Sequence, residues 1–144
     1  MKQDLKSMTL AEMQEAFAAL GEPKFRAKQV FTWLHRGATC FDEMTNLSKA
    51  LREKLEENYE ILPVVMLERQ ISQIDGTNKF LFRLYDGNVV ESVLMKYKHG
   101  NSVCISSQVG CRMGCAFCAS TIGGLVRNLS PSEMLGQILS LIHI

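Results

Sequence analysis

The sequence has no long apolar run, few prolines, a single tryptophan and no excess of either charge. No stretch approaches the about 20 apolar residues that a membrane-spanning helix needs, and the first residues, MKQD, lack the apolar region of a signal peptide. The net charge of +1 does not by itself indicate a nucleic-acid binder. Hydrophobic residues make up 47% of the 144, which is enough for a packed core and argues against disorder. We therefore expect a cytoplasmic protein with an ordered core.

Cysteine is scarce too, and four of the five cysteines lie between residues 104 and 118. Three of them, Cys111, Cys115 and Cys118, have the spacing C-x3-C-x2-C. Three thiolates hold three irons of a [4Fe–4S] cluster and leave the fourth iron open for S-adenosylmethionine, whereas electron-transfer clusters use four cysteines. The spacing therefore favours a cluster that supports radical chemistry.

A structural zinc site and a disulfide scaffold are the alternatives to the cluster. Cys104 lies close enough in sequence to complete a four-cysteine zinc site, but such sites usually combine two C-x2-C pairs and only one is present. A disulfide scaffold is disfavoured by the odd number of cysteines and by the core-rich chain. The isolated Cys40 is predicted to be a small buried apolar residue.

The first sixty residues are predicted to be helical. Thr9 and Glu12 fit a capping box, and Gly21 follows the apolar stripe of that helix as its stop. A second helix is predicted over 27–35 and a third beginning near Ser48. The apolar faces of the three helices are Met13, Phe17 and Leu20; Val30, Phe31 and Leu34; and Leu51 and Leu55.

Beyond Pro63 the pattern changes to strands, predicted at 64–71, 79–85, 88–97 and 102–106. The Asp-Gly pairs at 75–76 and 86–87 and His-Gly at 99–100 mark tight turns, so we expect an antiparallel meander. Ser130 and Glu133 then open a last helix with Pro131 at its first position. Its predicted apolar stripe is Leu135, Ile138 and Leu141. The sequence stops at Ile144 within this helical pattern, and we therefore expect it to be a piece of a longer chain.

Basic residues cluster between residues 24 and 36, and acidic residues collect between 53 and 60. A basic stretch of this size is more often a solvated helix face than an RNA contact, and the sequence alone leaves both interpretations open. The basic residues are Lys24, Arg26, Lys28, His35 and Arg36.

Four segments resemble the RlmN family, radical SAM enzymes that methylate carbon 2 of adenine in 23S ribosomal RNA and in some transfer RNAs. They are SSQVGCRMGCAFC at 106–118, RNL at 127–129, GEPKFRAKQV at 21–30 and FDEMT at 41–45. The Cfr-type enzymes that methylate adenine carbon 8 share the cluster motif and are the alternative. A further alternative is a metal-binding, RNA-binding module that has no catalytic activity.

The resemblance implies roles for particular residues. Cys111, Cys115 and Cys118 match the ligands of a [4Fe–4S] cluster that binds S-adenosylmethionine. Glu91 matches the carboxylate that accepts a proton at the end of catalysis, and Cys104 matches a position that forms a transient disulfide. The implied RNA contacts are Lys24, Arg26, Lys28 and Arg36. The implied partners are 23S rRNA, tRNA and a flavodoxin-like electron donor, with a monomeric full-length enzyme.

The resemblance also implies an α+β architecture in three parts. A helical accessory domain occupies residues 1–60, and β-hairpins that connect it to the next part occupy 61–100. Residues 101–144 hold the first strand, the cluster loop and the first helix of a truncated radical SAM (β/α) barrel. The methyl-carrying cysteine of the family has no counterpart in this sequence, and neither has the Gly-Glu-Pro segment that its members use to hold S-adenosylmethionine; the Gly-Glu-Pro at 21–23 belongs to the accessory-domain match. We therefore expect the fragment to be inactive alone.

Overall fold

The computed structural model describes residues 1–142, which fall into two compact units: Met1–Leu62, and a second unit that begins at Pro63. Each unit has its own apolar core. None of the helices within 1–142 is long and apolar enough to cross a membrane.

The first unit is helical, with one short pair of parallel strands. Its elements are β1 (Gln3–Asp4), α1 (Leu10–Ala19), α2 (Lys24–His35), α3 (Lys49–Asn58) and β2 (Tyr59–Glu60), with 3₁₀ turns at Leu5–Ser7 and Phe41–Glu43. The capping box predicted at Thr9 and Glu12 is confirmed, and Gly21 follows α1 in the left-handed conformation. Helix α2 begins at Lys24, earlier than predicted, because Pro23 occupies its N-cap in an extended conformation and the chain turns helical immediately after it.

The predicted apolar faces of the three helices meet in the core of this unit. Met13, Phe17, Val30, Leu34, Leu51 and Leu55 are buried there, and Leu20, Phe31 and Trp33 pack against it half-buried. The prediction that Cys40 is buried is wrong. The backbone is extended at Cys40, so neighbouring side chains point to opposite sides. Phe41 enters the core, and the Cys40 thiol faces outward near the Glu43 carboxylate.

The second unit contains a four-stranded antiparallel sheet with the strands in chain order, as the tight turns predicted. Its strands are β3 (Val65–Ile71), β4 (Asn78–Arg83), β5 (Val89–Tyr97) and β6 (Gly100–Cys104). Phe80, Phe82, Val90 and Leu94 line one face of β4 and β5 and form the core of this unit. They are packed by Val109, Leu129 and Leu141 from the elements that follow.

The strand predicted at 102–106 is present, and its assignment as the first strand of a barrel stays a prediction. This segment belongs to β6, which ends at Cys104 and pairs antiparallel with β5 at the edge of the sheet. After β6 the chain forms a small antiparallel hairpin, β7 (Gln108–Gly110) with β8 (Leu125–Asn128), which the sequence analysis did not anticipate.

The last helix, α4, spans Pro131–Ile142, and its predicted capping box is confirmed. The predicted stripe is only partly right, because Leu135 is half-buried and Ile138 is exposed. The face that turns inward instead carries Glu133, Gln137 and Leu141. The predicted continuation of this helix through residues 143–144 lies outside the described residues.

The sheet core gives a direct test of the second unit. Phe80 is fully buried and stacks on Phe82, so Phe80→Ala should lower the free energy of unfolding by about 3–5 kcal/mol through lost burial and a residual cavity. Ile74→Ala is the matched control, because Ile74 is 97% exposed in the β3–β4 turn and should change stability by less than about 0.5 kcal/mol. Urea unfolding followed by circular dichroism measures both. Similar losses in the two variants would contradict this core.

Candidate metal centre

The three clustered cysteines lie on one excursion of the chain between β7 and β8, residues 111–124, which we call the cysteine loop. All three are free and half-buried, whereas the Phe117 side chain between the last two is 94% exposed. The loop contains a single 3₁₀ turn, Ala119–Thr121, and otherwise irregular backbone. The thiols are therefore within reach of an incoming group from solvent.

Hydrogen bonds across the cysteine loop hold its two sides together. The Thr121 hydroxyl accepts from the N–H of Gly114 at 2.7 Å and donates to the carbonyl of Cys111 at 3.2 Å. The N–H of Cys111 donates to the carbonyl of Gly124, and that of Cys118 to the carbonyl of Cys115. Thr121 was not identified from the sequence, because a single threonine among small residues carries no pattern.

Gly110, the last residue of β7, lies against the backbone of Gly124 at the end of the cysteine loop. Its φ of +72° is left-handed, and a Cβ built there would lie 2.0 Å from the carbonyl oxygen of Gly124. Only glycine satisfies both conditions without moving the backbone. Gly110 therefore sets the start of the cysteine loop.

No three His, Cys, Asp or Glu side chains within residues 1–142 are gathered closely enough to hold one metal ion. The three thiols are thus brought onto one loop but not into coordination geometry. Their chemistry nevertheless fits an iron–sulfur cluster, because cysteine thiolates are its usual ligands and the loop carries three of them without any competing acidic ligand.

Glu91 and Cys104 come together on the open face of the sheet. Cys104 pairs with Val93 across β5 and β6, and Glu91 lies two residues before Val93 on the same face. The two side chains are therefore diagonal neighbours. The Glu91 side chain is 56% exposed, and its carboxylate lies 3.5 Å from the Lys79 ammonium.

Charged and amide groups around the ends of the cysteine loop were missed by the sequence analysis. Arg127, in β8, donates two hydrogen bonds to Glu133 at 2.8 and 2.9 Å, and a third to Asp86 at 2.7 Å. The hydrogen bond from Arg127 lowers the pKa of Asp86 to about 2. Burial acts to raise the pKa of Glu133, but hydrogen bonds from Arg127 and from the Ser130 N–H outweigh it and leave that pKa below its usual value.

The predicted RNA contacts lie along α2 in the first unit. Lys24, Lys28 and Arg36 are exposed, whereas Arg26 is half-buried and donates to the Gln29 side chain at 3.0 Å. Two aromatic side chains accompany the basic ones in a surface groove. The groove is lined by Phe25, Lys28, Gln29, Thr32, Trp33, Arg36 and Asn46.

Comparison with known proteins finds matches to both units. Residues 3–61 match the family described as ribosomal RNA large subunit methyltransferase N-terminal domain. Two relatives are named probable dual-specificity RNA methyltransferase RlmN. The one from Lachnoclostridium phytofermentans is 62% identical over a stretch that covers 95% of this chain and 39% of the relative. The one from Alkaliphilus oremlandii is 55% identical over 97% of this chain and 41% of the relative.

A solved structure agrees with them. The crystal structure of a radical SAM methyltransferase from Sphaerobacter thermophilus matches 96% of this chain and 41% of its own, with a TM-score of 0.84 and 43% identity. The chain thus spans about two fifths of the length of the proteins it matches.

The close approach at Gly110 can be tested against a second glycine of the same loop. Gly114 has a similar φ of +70° but open space around it, so Gly114→Ala should incur the backbone strain alone. Gly110→Ala adds a backbone clash and should cost at least about 1–3 kcal/mol more in unfolding free energy. Urea unfolding of both variants measures the difference. Equal losses would mean that Gly110 and Gly124 do not meet.

Proposed function

We infer, from the premise that this chain belongs to the RlmN family, that it supplies the cluster loop and an RNA-contacting unit of a radical SAM RNA methyltransferase. The reaction we propose is methylation of carbon 2 of adenine in 23S rRNA and tRNA. The observation that carries this proposal is the complete C-x3-C-x2-C set on one accessible loop, in a chain 62% identical to a relative named as an RNA methyltransferase. The names of the relatives favour carbon 2 over carbon 8.

Cys111, Cys115 and Cys118 are the proposed ligands of a [4Fe–4S] cluster. When bound, such a cluster would supply the electron that cleaves S-adenosylmethionine. The chain's own contribution is to present three thiols on a loop whose sides are joined through Thr121. Glycines at 110, 114, 123 and 124 let the backbone approach a bulky group closely.

Glu91 is the proposed acceptor of the proton lost from the adenine ring. Its carboxylate is accessible from solvent, and the neighbouring Lys79 ammonium provides a positive charge beside it. Cys104, the proposed partner in a transient disulfide, lies on the same open face of the sheet and is exposed. Proton transfer and thiol exchange both require that their groups be reachable, and this face offers both groups on adjacent strands.

The basic side of α2 is the proposed RNA contact of the first unit. Lys28 and Arg36 supply positive charge for phosphates, and Phe25 and Trp33 supply flat apolar surfaces on which bases can stack. Lys24 and Arg26 extend the charge toward the start of the helix. A cytoplasmic site of action and a flavodoxin-like electron donor belong to the same proposal, since rRNA and tRNA are the substrates and the cluster must be reduced.

The cluster assignment predicts the metal content of cysteine variants. After anaerobic reconstitution with iron and sulfide, the chain should absorb broadly in the visible range, and Cys111→Ala, Cys115→Ala or Cys118→Ala should each abolish that absorption. Cys40→Ala is the control, because Cys40 lies in the other unit. Iron and sulfide analysis accompanies the spectra. Equal loss in the Cys40 variant, or a colourless chain that holds stoichiometric zinc, would refute the assignment.

The proposed RNA contact on α2 predicts two separable defects in binding to an rRNA or tRNA fragment. Lys28→Gln should weaken binding and reduce the slope of log affinity against log salt by about one, the value for a lost phosphate contact. Phe25→Ala should weaken binding by about 1–3 kcal/mol without changing that slope, because stacking releases no counterions. Fluorescence anisotropy at several salt concentrations measures both quantities.

Lys49→Gln is the matched control for Lys28→Gln in the proposed RNA contact. Lys49 is an exposed lysine of the same unit, on α3, where it pairs with Glu53. Its replacement should leave both the affinity and the salt slope unchanged. If Lys49→Gln weakens binding as much as Lys28→Gln, the contact is not located on α2.

A further inference from the structure

We propose that helix α4 is a two-point clamp on the cysteine loop: Gln137 holds the segment that leads into the loop, and Glu133, through Arg127, holds the strand that leaves it. This inference rests on the proposed function and deepens it, because it gives positioning roles to three residues that do not themselves bind the cluster. All the contacts that carry it lie within the second unit.

The incoming segment is held through Ser106, which precedes β7. Gln137 is fully buried, and its side-chain amide pairs with both backbone groups of Ser106. Its Oε1 accepts from the Ser106 N–H at 3.0 Å, and its Nε2 donates to the Ser106 carbonyl at 2.9 Å. The amide thus acts as a backbone-like partner for a residue that lies outside any strand.

The outgoing strand is held through Arg127, which follows the cysteine loop by only a few residues. Its guanidinium is bound by both oxygens of Glu133, a fork that fixes orientation as well as distance. The third donor of Arg127 reaches Asp86 in the turn between β4 and β5. The strand is thereby tied to the helix on one side and to the sheet on the other.

The two points are joined to each other and to the proposed proton acceptor. Gln137 Nε2 also donates to the carbonyl of Glu133, one turn away on α4, at 3.2 Å. Gln137 Oε1 accepts from Ser92, which adjoins Glu91, at 2.6 Å, and the Ser106 hydroxyl donates to the carbonyl of Glu91 at 2.6 Å. Helix α4 therefore fixes the base of the loop relative to the strand that carries Glu91.

Stability alone does not account for this choice of residues. Buried ion pairs are often matched or exceeded in stability by apolar residues of similar size, whereas paired charges and amides define one geometry. Glu133 and Gln137 occupy positions in line with Leu141, which packs in the apolar core. The polar pair is therefore expected to determine where the loop is held rather than how strongly the helix packs.

Hydrogen exchange of the 144-residue chain without metal tests the clamp. Gln137→Leu should speed exchange at residues 106–111 by about tenfold or more, because the Ser106 N–H loses its partner. Arg127→Lys should do the same at 125–129, since lysine keeps the charge but lacks the fork. Leu141→Ala is the control: it opens a core cavity without touching either contact and should speed exchange without preference for the loop ends.

A second readout follows the reconstituted chain. Release of iron to a chelator is seen as decay of the visible absorption. It should be about tenfold faster in Gln137→Leu and Arg127→Lys than in Leu141→Ala, because each of the first two variants removes one buried hydrogen-bond partner at an end of the loop. If Gln137→Leu does not fold, Arg127→Lys decides the question. Exchange that is no faster at the loop ends than in Leu141→Ala would overturn the clamp. A chain that shows the expected exchange pattern but assembles no cluster would instead contradict the proposed function and leave the clamp standing.

Discussion

The buried carboxylate of Glu133 is the group on which the arrangement around the cysteine loop depends. A charge removed from water is costly unless it is paired and hydrogen-bonded, and here both oxygens are occupied by Arg127 and by the Ser130 N–H. The same carboxylate caps α4 and anchors β8. Separating the helix from the hairpin would leave the buried Glu133 carboxylate without its counter-charge, which favours one relative position of the two elements.

Much of the fold could be predicted because its signals are local. The capping boxes at Thr9 and Ser130 involve residues three apart, and the Asp-Gly turns join strands that are neighbours in the sheet. The β7–β8 hairpin could not be predicted in the same way. Its strands have three and four residues, too few for a visible alternation, and they pair across the whole cysteine loop. Cysteine is buried on average, but at Cys40 the local backbone sends Phe41 inward and leaves the thiol exposed, which the average tendency does not predict.

In the candidate site too, residues with a local sequence signal could be predicted and residues that meet only in the fold could not. The three thiols were found from their spacing, which is a local property, whereas Arg127, Glu133 and Gln137 were missed because polar residues on a helix or short strand normally face solvent. Glu133 was identified only as a cap, and nothing in its neighbourhood in sequence indicates the partner in β8. Glu91 and Cys104 carry no signal of their own in the sequence, and only the pairing of β5 with β6 brings them to one face.

The cysteine loop has to be accessible and yet hold a fixed position, and these two requirements conflict. Thiols with the proposed role of receiving a cluster and a substrate molecule cannot be deeply buried, and Met113, Phe117 and Ile122 on the same loop contribute almost nothing to the core. Burial therefore cannot fix the loop, and its position must come from directional contacts at its base and across its middle. Hydrogen bonds of Thr121, the close contact at Gly110 and the polar face of α4 supply those contacts. A loop held at both ends by a rigid scaffold can keep its half-buried thiols accessible and still present them on one side of the hairpin.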